Sequence, residues 1–364
     1  MPDNVINTAH CATGLWKLPD LKLPRTQSIV HLEKKQMTGT DNPFVDLSSI
    51  NVQFSHVAYQ FEPRFIERRA AIPHYQTWNR EQTLERIPNA DVLVVSGFWN
   101  NGLLDAAKKL RFIQSIGAGY DQFPLDELRR RGIRLASARG VNSNAVSEHA
   151  MSMVLALTRH IHTGRDNQSK HVWRGMISDL SKREDELGGK TMLIIGLGTI
   201  GSRLARLAKA FDMRVIAVKR NVNVDGSAAD EIHTPDDLPE LLPQADFVTL
   251  ACPLTPETAD IINQRTLAMM KPSSYLINVA RGGCVEETAL LEALRSGGIA
   301  GAAIDHFKAE PLPSESPFWN MENVIITPHT GGETRMYEDN VIDILLENLG
   351  RLSRGEPALL NQVV

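Results

Sequence analysis

The sequence predicts an α/β fold of two domains, each built on a doubly wound parallel sheet. First, 364 residues suffice for two domains with sizeable cores. Second, short apolar strands alternate with helical segments from Ile50 onward, which is typical of parallel sheets with helices on both faces. Third, a glycine-rich turn near the middle of the chain joins a strand to a helix.

The composition argues against some classes of binding partner and indicates the cellular compartment. The net charge is −4 and no Lys/Arg-rich block stands out, so we expect no nucleic-acid partner. The apolar runs are too short to cross a bilayer and the first residues lack the pattern of a secretory signal, so we expect no membrane contact. Three distant cysteines, Cys11, Cys252 and Cys284, indicate a reducing compartment, and the cytoplasm is the expected location.

The first half of the chain contains the first run of alternation. Residues 1–48 have no sustained period and predict an N-terminal extension, either an ordered arm or a mobile tail. Beyond them we expect strands at "INVQFSHVAY", "HYQTW", "ADVLVVSG" and "RFIQSIGAG". Helices are predicted between these strands at "RFIERRAA", "REQTLERI" and "LLDAAKKL".

A single long helix is predicted over residues 143–166, with Ser147 or Asn144 as its cap. Its centre is apolar nearly all round, which predicts burial between domains or between subunits.

The second run of alternation predicts a complete doubly wound domain. The strands are expected at "KTMLIIG", "RVIAVKR", "ADFVTLAC", "SYLINVA", "IAGAAIDHF" and "NVIITPH". The helices are expected at "TIGSRLARLAKAFD", "DLPELLPQ", "NQRTLAMM" and "ETALLEALRSG". A last amphipathic helix, residues 335–355, is predicted to return to the first domain.

The turn "GLGTIG", residues 196–201, predicts a dinucleotide site in a Rossmann-like domain. Gly196 permits the tight turn, Gly198 permits close approach of a pyrophosphate, and Gly201 permits close packing of helix on sheet. Thr199 and Ile200 lie in the same turn, at the helix N-terminus that faces the phosphates. A purely structural turn is the alternative interpretation.

The strand that follows this helix ends in "VIAVKRN", with Lys219 and Arg220 where an acid commonly binds the adenosine ribose. Two cations suit a 2′-phosphate, because guanidinium and ammonium groups both bind phosphate. We therefore expect NADP(H), with NAD(H) as the alternative. The competing interpretation is a solvated strand end.

Three polar residues follow late strands of the second domain, where open α/β sheets bind ligands: Arg281, Glu310 and His329. Taken one by one, each has a simpler interpretation: Arg281 as part of a surface ion pair, Glu310 as part of a turn before a proline, and His329 as a structural histidine. Together they fit hydride transfer to a 2-oxo acid, because Arg281 can hold a carboxylate and His329 can exchange the hydroxyl proton. Glu310 would orient the imidazole and favour its protonated form.

In this order the motifs "GLGTIG", "NVARGG", "DHFKAEP" and "TPHTGG" resemble those of the D-isomer-specific 2-hydroxyacid dehydrogenases. "NSNAVSEHAMSMVLALTR" and "CPLTPET" are also similar. The resemblance implies catalysis by Arg281, Glu310 and His329 in a cleft between two domains, and a homodimer. It also implies a discontinuous substrate-binding domain, residues 49–146 plus 330–364, around a dinucleotide-binding domain, residues 147–329.

The resemblance extends the predicted site beyond the catalytic set. Cofactor contacts beyond the glycine turn are expected from Lys219, Arg220, Asn221, Cys252, Pro253, Thr258, Val279, Ala280, Asp305 (to the nicotinamide carboxamide) and Gly331. Substrate contacts are expected from Ser96, Gly97, Phe98, Gly119, Arg281 and His329. No metal is expected.

Three features depart from the family's pattern. His306 stands where the family usually has a hydrophobic residue, often Val, and we do not expect it to be catalytic. Lys219 replaces the common NAD carboxylate, as in the NADPH-using glyoxylate/hydroxypyruvate reductase members. Residues 1–48 have no counterpart in a typical member.

The expected function is that of an oxidoreductase acting on a 2-oxo acid and D-2-hydroxy acid pair, in the reductase direction. An interaction protein similar to the C-terminal-binding-protein corepressors is the alternative from another class, because those relatives keep the same three residues. Glu310 argues against formate dehydrogenase, which pairs its histidine with Gln, whereas phosphite dehydrogenase stays open. Neither the identity of the oxo acid nor the physiological direction is encoded in a motif.

Overall fold

A computed structural model describes residues 42–68, 71–120, 122–222 and 228–364. The predicted N-terminal extension therefore lies outside the described residues up to residue 41. The described chain contains one five-stranded and one seven-stranded sheet, all strands parallel, with helices packed on them. The predicted α/β class with two parallel sheets is confirmed. Within the described residues, no helix is long and apolar enough to span a membrane.

The first sheet has the strand order β2-β1-β3-β4-β5. Its strands are β1 (Val52–Ser55), β2 (His74–Thr77), β3 (Val92–Val95), β4 (Phe112–Ser115) and β5 (Arg134–Ala136). The accompanying helices are α1 (Phe61–Glu67), α2 (Arg80–Arg86), α3 (Leu103–Ala106) and α4 (Leu125–Arg131). Strands β1, β3 and β4 are buried along their whole length, as strands covered on both faces should be.

The predicted single helix over residues 143–166 is wrong, because the structure has two helices there. Helix α5 (Ser143–Thr158) ends where His160 adopts a left-handed conformation with φ of 50°, and α6 (Ile161–Ser169) begins after it. The predicted cap is also wrong: Asn142 precedes the first turn, and the Ser147 hydroxyl donates within the helix to the Asn144 carbonyl. The buried face of α5 packs in the core of the second sheet.

The second sheet has the order β12-β11-β10-β9-β6-β7-β8. Its strands are β6 (Thr191–Ile195), β7 (Arg214–Val218), β8 (Glu231–His233), β9 (Phe247–Leu250), β10 (Tyr275–Asn278), β11 (Gly301–Ile304) and β12 (Val324–Ile326). The chain builds β6, β7 and β8 outward and then returns to place β9 on the other side of β6. The crevice for a ligand in such a sheet lies at this switch point, outside the carboxyl ends of the strands.

The helices of the second sheet are α7 (Thr199–Ala210), α8 (Leu238–Leu241), α9 (Gln264–Leu267) and α10 (Glu287–Ser296). Short 3₁₀ turns lie at Leu47–Ser49, Ile87–Asn89, Leu180–Lys182, Pro235–Asp237, Leu242–Gln244, Gly282–Cys284 and Pro317–Asn320.

The last helix, α11 (Tyr337–Ser353), packs against the first sheet, as predicted. Its residues Val341 and Leu345 share a core with Phe54 of β1. The side chain of Asn348 donates to the buried Gln114 of β4 at 3.1 Å. The first sheet is thus completed by the C-terminal part of the chain.

Candidate functional site

The glycine-rich turn lies at the switch point, between the end of β6 and the start of α7. Gly196 has φ of 107°, and a Cβ there would lie 2.6 Å from the Cys252 nitrogen. A Cβ on Gly201 would lie 2.1 Å from the Gly196 carbonyl oxygen. A Cβ on Gly198 would meet nothing within 4 Å. Two glycines are therefore required by the packing of the turn, whereas the third leaves open space at the surface.

The N-terminus of α7 borders this open space. Gly198 is the N-cap residue of the helix and has no side chain to bond the first amide groups. The first turn of α7 contains no acidic residue. Thr199 is exposed and receives a hydrogen bond from Ser143 of α5 at 3.0 Å, while Ile200 is half-buried. Free amide N–H groups and the positive end of the helix dipole suit a phosphate group. The turn therefore fits the pyrophosphate of a dinucleotide.

Lys219 and Arg220 directly follow β7 at the same edge of the sheet. The Lys219 backbone is fixed by a 2.9 Å hydrogen bond to the His233 carbonyl, its side chain is half-buried, and Arg220 and Asn221 are exposed. Glu231 of the neighbouring strand β8 is already paired with Arg214 and His233. The end of β7 thus presents cations to a ligand, without an acid in the described loop up to residue 222.

The loop after β9 provides the opposite wall. Thr258 accepts a hydrogen bond from the Thr255 nitrogen and donates to the Pro253 carbonyl, both at 2.7 Å, so the loop is braced from within. Val279 and Ala280 are buried at the end of β10. Cys252 is buried too, and its hydrogen bond with Cys284, together with burial, raises the pKa of the Cys252 thiol.

Arg281, Glu310 and His329 lie on three loops that follow β10, β11 and β12. A Cβ on Gly282 would lie 2.0 Å from the Phe307 carbonyl carbon, so the first two loops are in close contact. The Glu310 carboxylate lies 2.7 Å from His329 Nδ1. Burial opposes ionisation of Glu310, but the hydrogen bond and charge of His329 outweigh it and hold the pKa of Glu310 below its usual value.

The His329 loop is held by Asp305, the first residue after β11. The Asp305 side chain is 2% exposed and accepts from the Thr327 hydroxyl at 2.5 Å and from the Thr330 and Gly331 nitrogens at 3.0 Å. His329 itself has φ of 55°, a strained conformation for a residue with a side chain. These bonds stabilise the left-handed turn that points the imidazole at Glu310.

Sequence reasoning missed this bracing role of Asp305 and the two residues that support it. Thr327 donates to Asp305, and His149 of α5 lies 3.0 Å from the Thr327 hydroxyl. The Thr two residues before His329 in "ITPHTGG" was a usable signal. Nothing in the sequence connects His149 with a loop nearly 180 residues away. The expected contact of Asp305 with a nicotinamide stays a prediction.

His306 is buried beside the Glu310–His329 pair. Its side chain is 6% exposed, and its ring centroid lies 3.8 Å from that of His329. Burial, with the positive charges of His329 and Arg281, lowers the pKa of His306 to about 4. The ring is therefore neutral near pH 7.

Four of the six residues predicted to bind substrate form a separate group at the carboxyl edge of the first sheet. Ser96, Gly97 and Phe98 follow β3, and Gly119 follows β4. Gly117 brings the two loops together, since a Cβ there would lie 3.7 Å from the Ser96 hydroxyl, and the Ser115 hydroxyl donates to the Gly119 carbonyl at 3.4 Å. The structure thus assembles the predicted substrate and catalytic residues as two groups, one at each sheet.

Comparisons with known proteins agree with this geometry. Residues 151–331 match the family described as D-isomer specific 2-hydroxyacid dehydrogenase, NAD binding domain. That segment contains the second half of α5, the glycine-rich turn, and the loops of Arg281, Glu310 and His329.

Relatives match over most of the chain. Glyoxylate reductase from Pyrococcus furiosus is 36% identical over 313 residues, 84% of this chain and 90% of that protein. D-3-phosphoglycerate dehydrogenase from Methanocaldococcus jannaschii is 36% identical over 282 residues, 77% of this chain and 53% of that protein. The solved structure of a D-isomer specific 2-hydroxyacid dehydrogenase family protein from Aeromonas salmonicida has a TM-score of 0.75 at 29% identity, covering 86% of this chain and 99% of that one.

Proposed function

Because the chain belongs to the D-isomer specific 2-hydroxyacid dehydrogenase family, we propose that it reduces a small 2-oxo acid to the D-2-hydroxy acid with NADPH. The family is one of oxidoreductases with an NAD-binding domain, which confirms the resemblance inferred from the motifs. One observation carries the proposal: the Glu310–His329 pair, joined at 2.7 Å, follows the same sheet edge as Arg281.

The residues of the candidate site have separate roles in the proposed reaction. Glu310 holds His329 through Nδ1, which leaves the Nε2 atom to deliver a proton to the carbonyl oxygen of the substrate. Arg281 binds the substrate carboxylate with its planar fork and polarises the adjacent carbonyl. A bound nicotinamide cofactor supplies the hydride. His306 takes no part in proton transfer, because burial keeps it neutral.

The cofactor in this proposal is NADP(H), with NAD(H) as the alternative. Lys219 and Arg220 support the choice, since both follow β7 at the sheet edge that the glycine turn shares. The cleft walls proposed for the cofactor are Asn221, Cys252, Pro253, Thr258, Val279, Ala280, Asp305 and Gly331.

The substrate class follows from the loops of the first sheet and from the relatives. We place the substrate carboxylate between Arg281 and the backbone N–H groups of Ser96, Gly97 and Phe98, near Gly119. Gly97 and Gly119 are exposed, so a small acid can reach that backbone. Several relatives are named glyoxylate reductase, and glyoxylate is the first substrate to test.

The assembly we propose is a homodimer of chains, each with a substrate-binding domain of residues 49–146 plus 330–364 and a dinucleotide-binding domain of residues 147–329. The segment between α6 and β6 supports the dimer: Trp173 is 97% exposed, and Val172, Met176 and Leu180 are exposed with it. Contiguous exposed apolar side chains of this size mark interaction sites. The expected reducing, cytoplasmic compartment stays a prediction from the spacing of the cysteines.

The test is turnover of NADPH with glyoxylate, hydroxypyruvate and bulkier 2-oxo acids. Wild type should reduce at least one of them, and His329→Ala should lower kcat by about 10²- to 10⁴-fold, the range typical of a general acid–base group. Arg281→Lys should lower kcat/KM by about 10-fold or more with cofactor affinity retained, because Lys keeps the charge but loses the fork.

Matched controls are His162→Ala on α6 and Arg295→Lys on α10, which should retain full activity. A His329→Ala protein with wild-type kcat refutes the proposed acid. A folded wild type that binds NADPH but reduces none of these acids supports the corepressor-like alternative.

A further inference from the structure

His306 is the buried titratable group near the site that the proposed reaction leaves without a task. Its Nδ1 atom lies 3.6 Å from Glu310 Oε1, and the other carboxylate oxygen lies 2.7 Å from His329 Nδ1. One carboxylate therefore lies between two imidazole nitrogens. The sequence predicted no metal site, and the three side chains come from two separate loops.

The ligand atoms of these three residues are within 4.8 Å of one another. Bound zinc lies about 2.0–2.2 Å from imidazole nitrogen and carboxylate oxygen, so small side-chain rotations bring all three to one ion. Two imidazoles and a carboxylate leave a fourth position open, as in catalytic zinc sites.

The surroundings of His306 resemble the outer shell of a metal site. Its second nitrogen, Nε2, lies 3.6 Å from Asp305 Oδ2, and Asp305 is 2% exposed. Carboxylates in this position orient metal-bound histidines. The positive charge of Arg281 opposes a cation here, and the two carboxylates of Asp305 and Glu310 offset it.

We propose that His306, Glu310 and His329 together bind one Zn²⁺ ion, which inhibits the protein reversibly. Entry is from the side of Glu310 and His329, whose side chains are 37% and 50% exposed. Zinc on His329 Nδ1 displaces the proton held there and separates the ring from Glu310. The imidazole then no longer cycles between its two protonation states, and turnover stops.

The binding experiment is independent of the proposed reaction. Purified wild type is dialysed against buffered free Zn²⁺, with Mg²⁺ as the control cation, which prefers oxygen ligands. We expect one Zn²⁺ bound by wild type that His306→Val does not bind at the same free concentration. His233→Gln is the matched control, because His233 belongs to a second histidine–carboxylate group, 3.1 Å from Glu231.

Inhibition is measured with NADPH and the best oxo acid. Loss of an outer-shell partner alone lowers metal affinity by about 10- to 100-fold, so loss of a direct ligand should raise the half-inhibitory Zn²⁺ concentration by at least about 10-fold. His306→Val should therefore resist zinc, while His233→Gln should match wild type. Equal zinc sensitivity of wild type and His306→Val overturns the proposal.

A crystal soaked with zinc tests the site without any variant. The anomalous difference peak should lie about 2.0–2.1 Å from a nitrogen of His306 and a nitrogen of His329. A protein that is saturated with zinc elsewhere and has no peak there refutes the site, even if the oxo-acid reductase assay succeeds.

Discussion

At the scale of residues, Glu310 separates two histidines that the sequence places 23 positions apart. His306 is 6% exposed and His329 is 50% exposed, so identical side chains have different environments. Burial lowers the pKa of His306 to about 4, and the ring carries no charge near neutrality. In the proposed reaction we therefore assign proton exchange with the substrate to the more exposed His329.

The Glu310 carboxylate gives a pH prediction. If His329 is the proton donor that we propose, reduction consumes its proton, and kcat/KM should fall on the alkaline side. In Glu310→Gln the ring loses its carboxylate partner, and the alkaline fall should move to lower pH. On the acid side, the lowered pKa of Glu310 keeps its carboxylate ionised to below the ordinary range for Glu, so wild-type activity should persist there.

The measurement is the pH profile of kcat/KM for reduction, with unfolding temperatures to establish that each variant is folded. Glu315→Gln is the control, because it removes an exposed carboxylate from the same loop. An alkaline limb that stays at the same pH in Glu310→Gln would contradict the assigned partner.

At the scale of elements, the strand–turn–helix of β6 and α7 predicts opposite outcomes for two glycines. Gly201→Ala places a methyl group 2.1 Å from the Gly196 carbonyl and should destabilise the fold by about 1–3 kcal/mol or more. Gly198→Ala meets no protein atom within 4 Å and should retain stability. Its methyl group enters the space proposed for the pyrophosphate, so cofactor affinity should fall.

Thermal unfolding measures the loss of stability in each variant, and NADPH titration measures the loss of cofactor affinity. Gly298→Ala, at an exposed position after α10 where a Cβ would make only ordinary contacts of 3.4 Å or more, serves as the neutral control. Unchanged NADPH affinity in a folded Gly198→Ala would place the phosphates elsewhere.

The end of β7 carries the prediction on cofactor choice. Charge-assisted hydrogen bonds contribute about 1.5–3 kcal/mol each, less where exposed, so two of them should give a preference for NADPH of about 10²-fold. Lys219→Asp with Arg220→Ala should remove most of this preference, because a carboxylate repels a 2′-phosphate. Rising salt should reduce the preference, since exposed charges are screened.

The values to compare are kcat/KM for NADPH and NADH at two ionic strengths. Lys108→Asp with Lys109→Ala makes the same charge change at an exposed site after α3 and should leave the ratio unaltered. Equal use of both cofactors by wild type would mean that Lys219 and Arg220 are only a solvated strand end.

Elements that bury a continuous apolar run were predictable from the sequence. Short elements, and elements in which polar and apolar residues are interspersed, were not. Strand β6 reads "TMLII" and was expected where it lies. Helix α4 and strand β5 were missed, as was β8, a three-residue strand with one apolar residue at the edge of the sheet. The break between α5 and α6 was also missed, because it occurs at His160, and neither glycine nor proline marks that position.

At the scale of the whole molecule, the exposed segment around Trp173 predicts the assembly. Trp173→Ser with Met176→Ser should convert a dimer into a monomer, because removing exposed apolar area lowers the affinity of the interface. Light scattering after size exclusion should give twice 40.4 kDa for wild type and 40.4 kDa for the variant. Leu84→Ser, on an exposed face of α2, should stay dimeric. A monomeric wild type would refute the predicted homodimer.

One part of the candidate site, the three residues that follow late strands, was predictable, because parallel strands bring their carboxyl ends to one edge of the sheet. Arg281, Glu310 and His329 follow consecutive strands of the sheet, so their proximity follows from strand order alone. The brace of the His329 loop could not be predicted, because Asp305, Thr327 and His149 meet only through the packing of α5 on the sheet. Long-range packing of this kind has no signature in local sequence.

The return of α11 to the first sheet has a consequence for synthesis on the ribosome. The strands of the second sheet that the structure describes all lie between residues 191 and 326, so they can pair once these residues have emerged. The first sheet shares its core with Val341, Leu345 and Leu349, and Leu135 of β5 donates its backbone N–H to the carbonyl of Val364. The part of the molecule that is translated first therefore finishes folding later than the second sheet, because it needs residues 341–364.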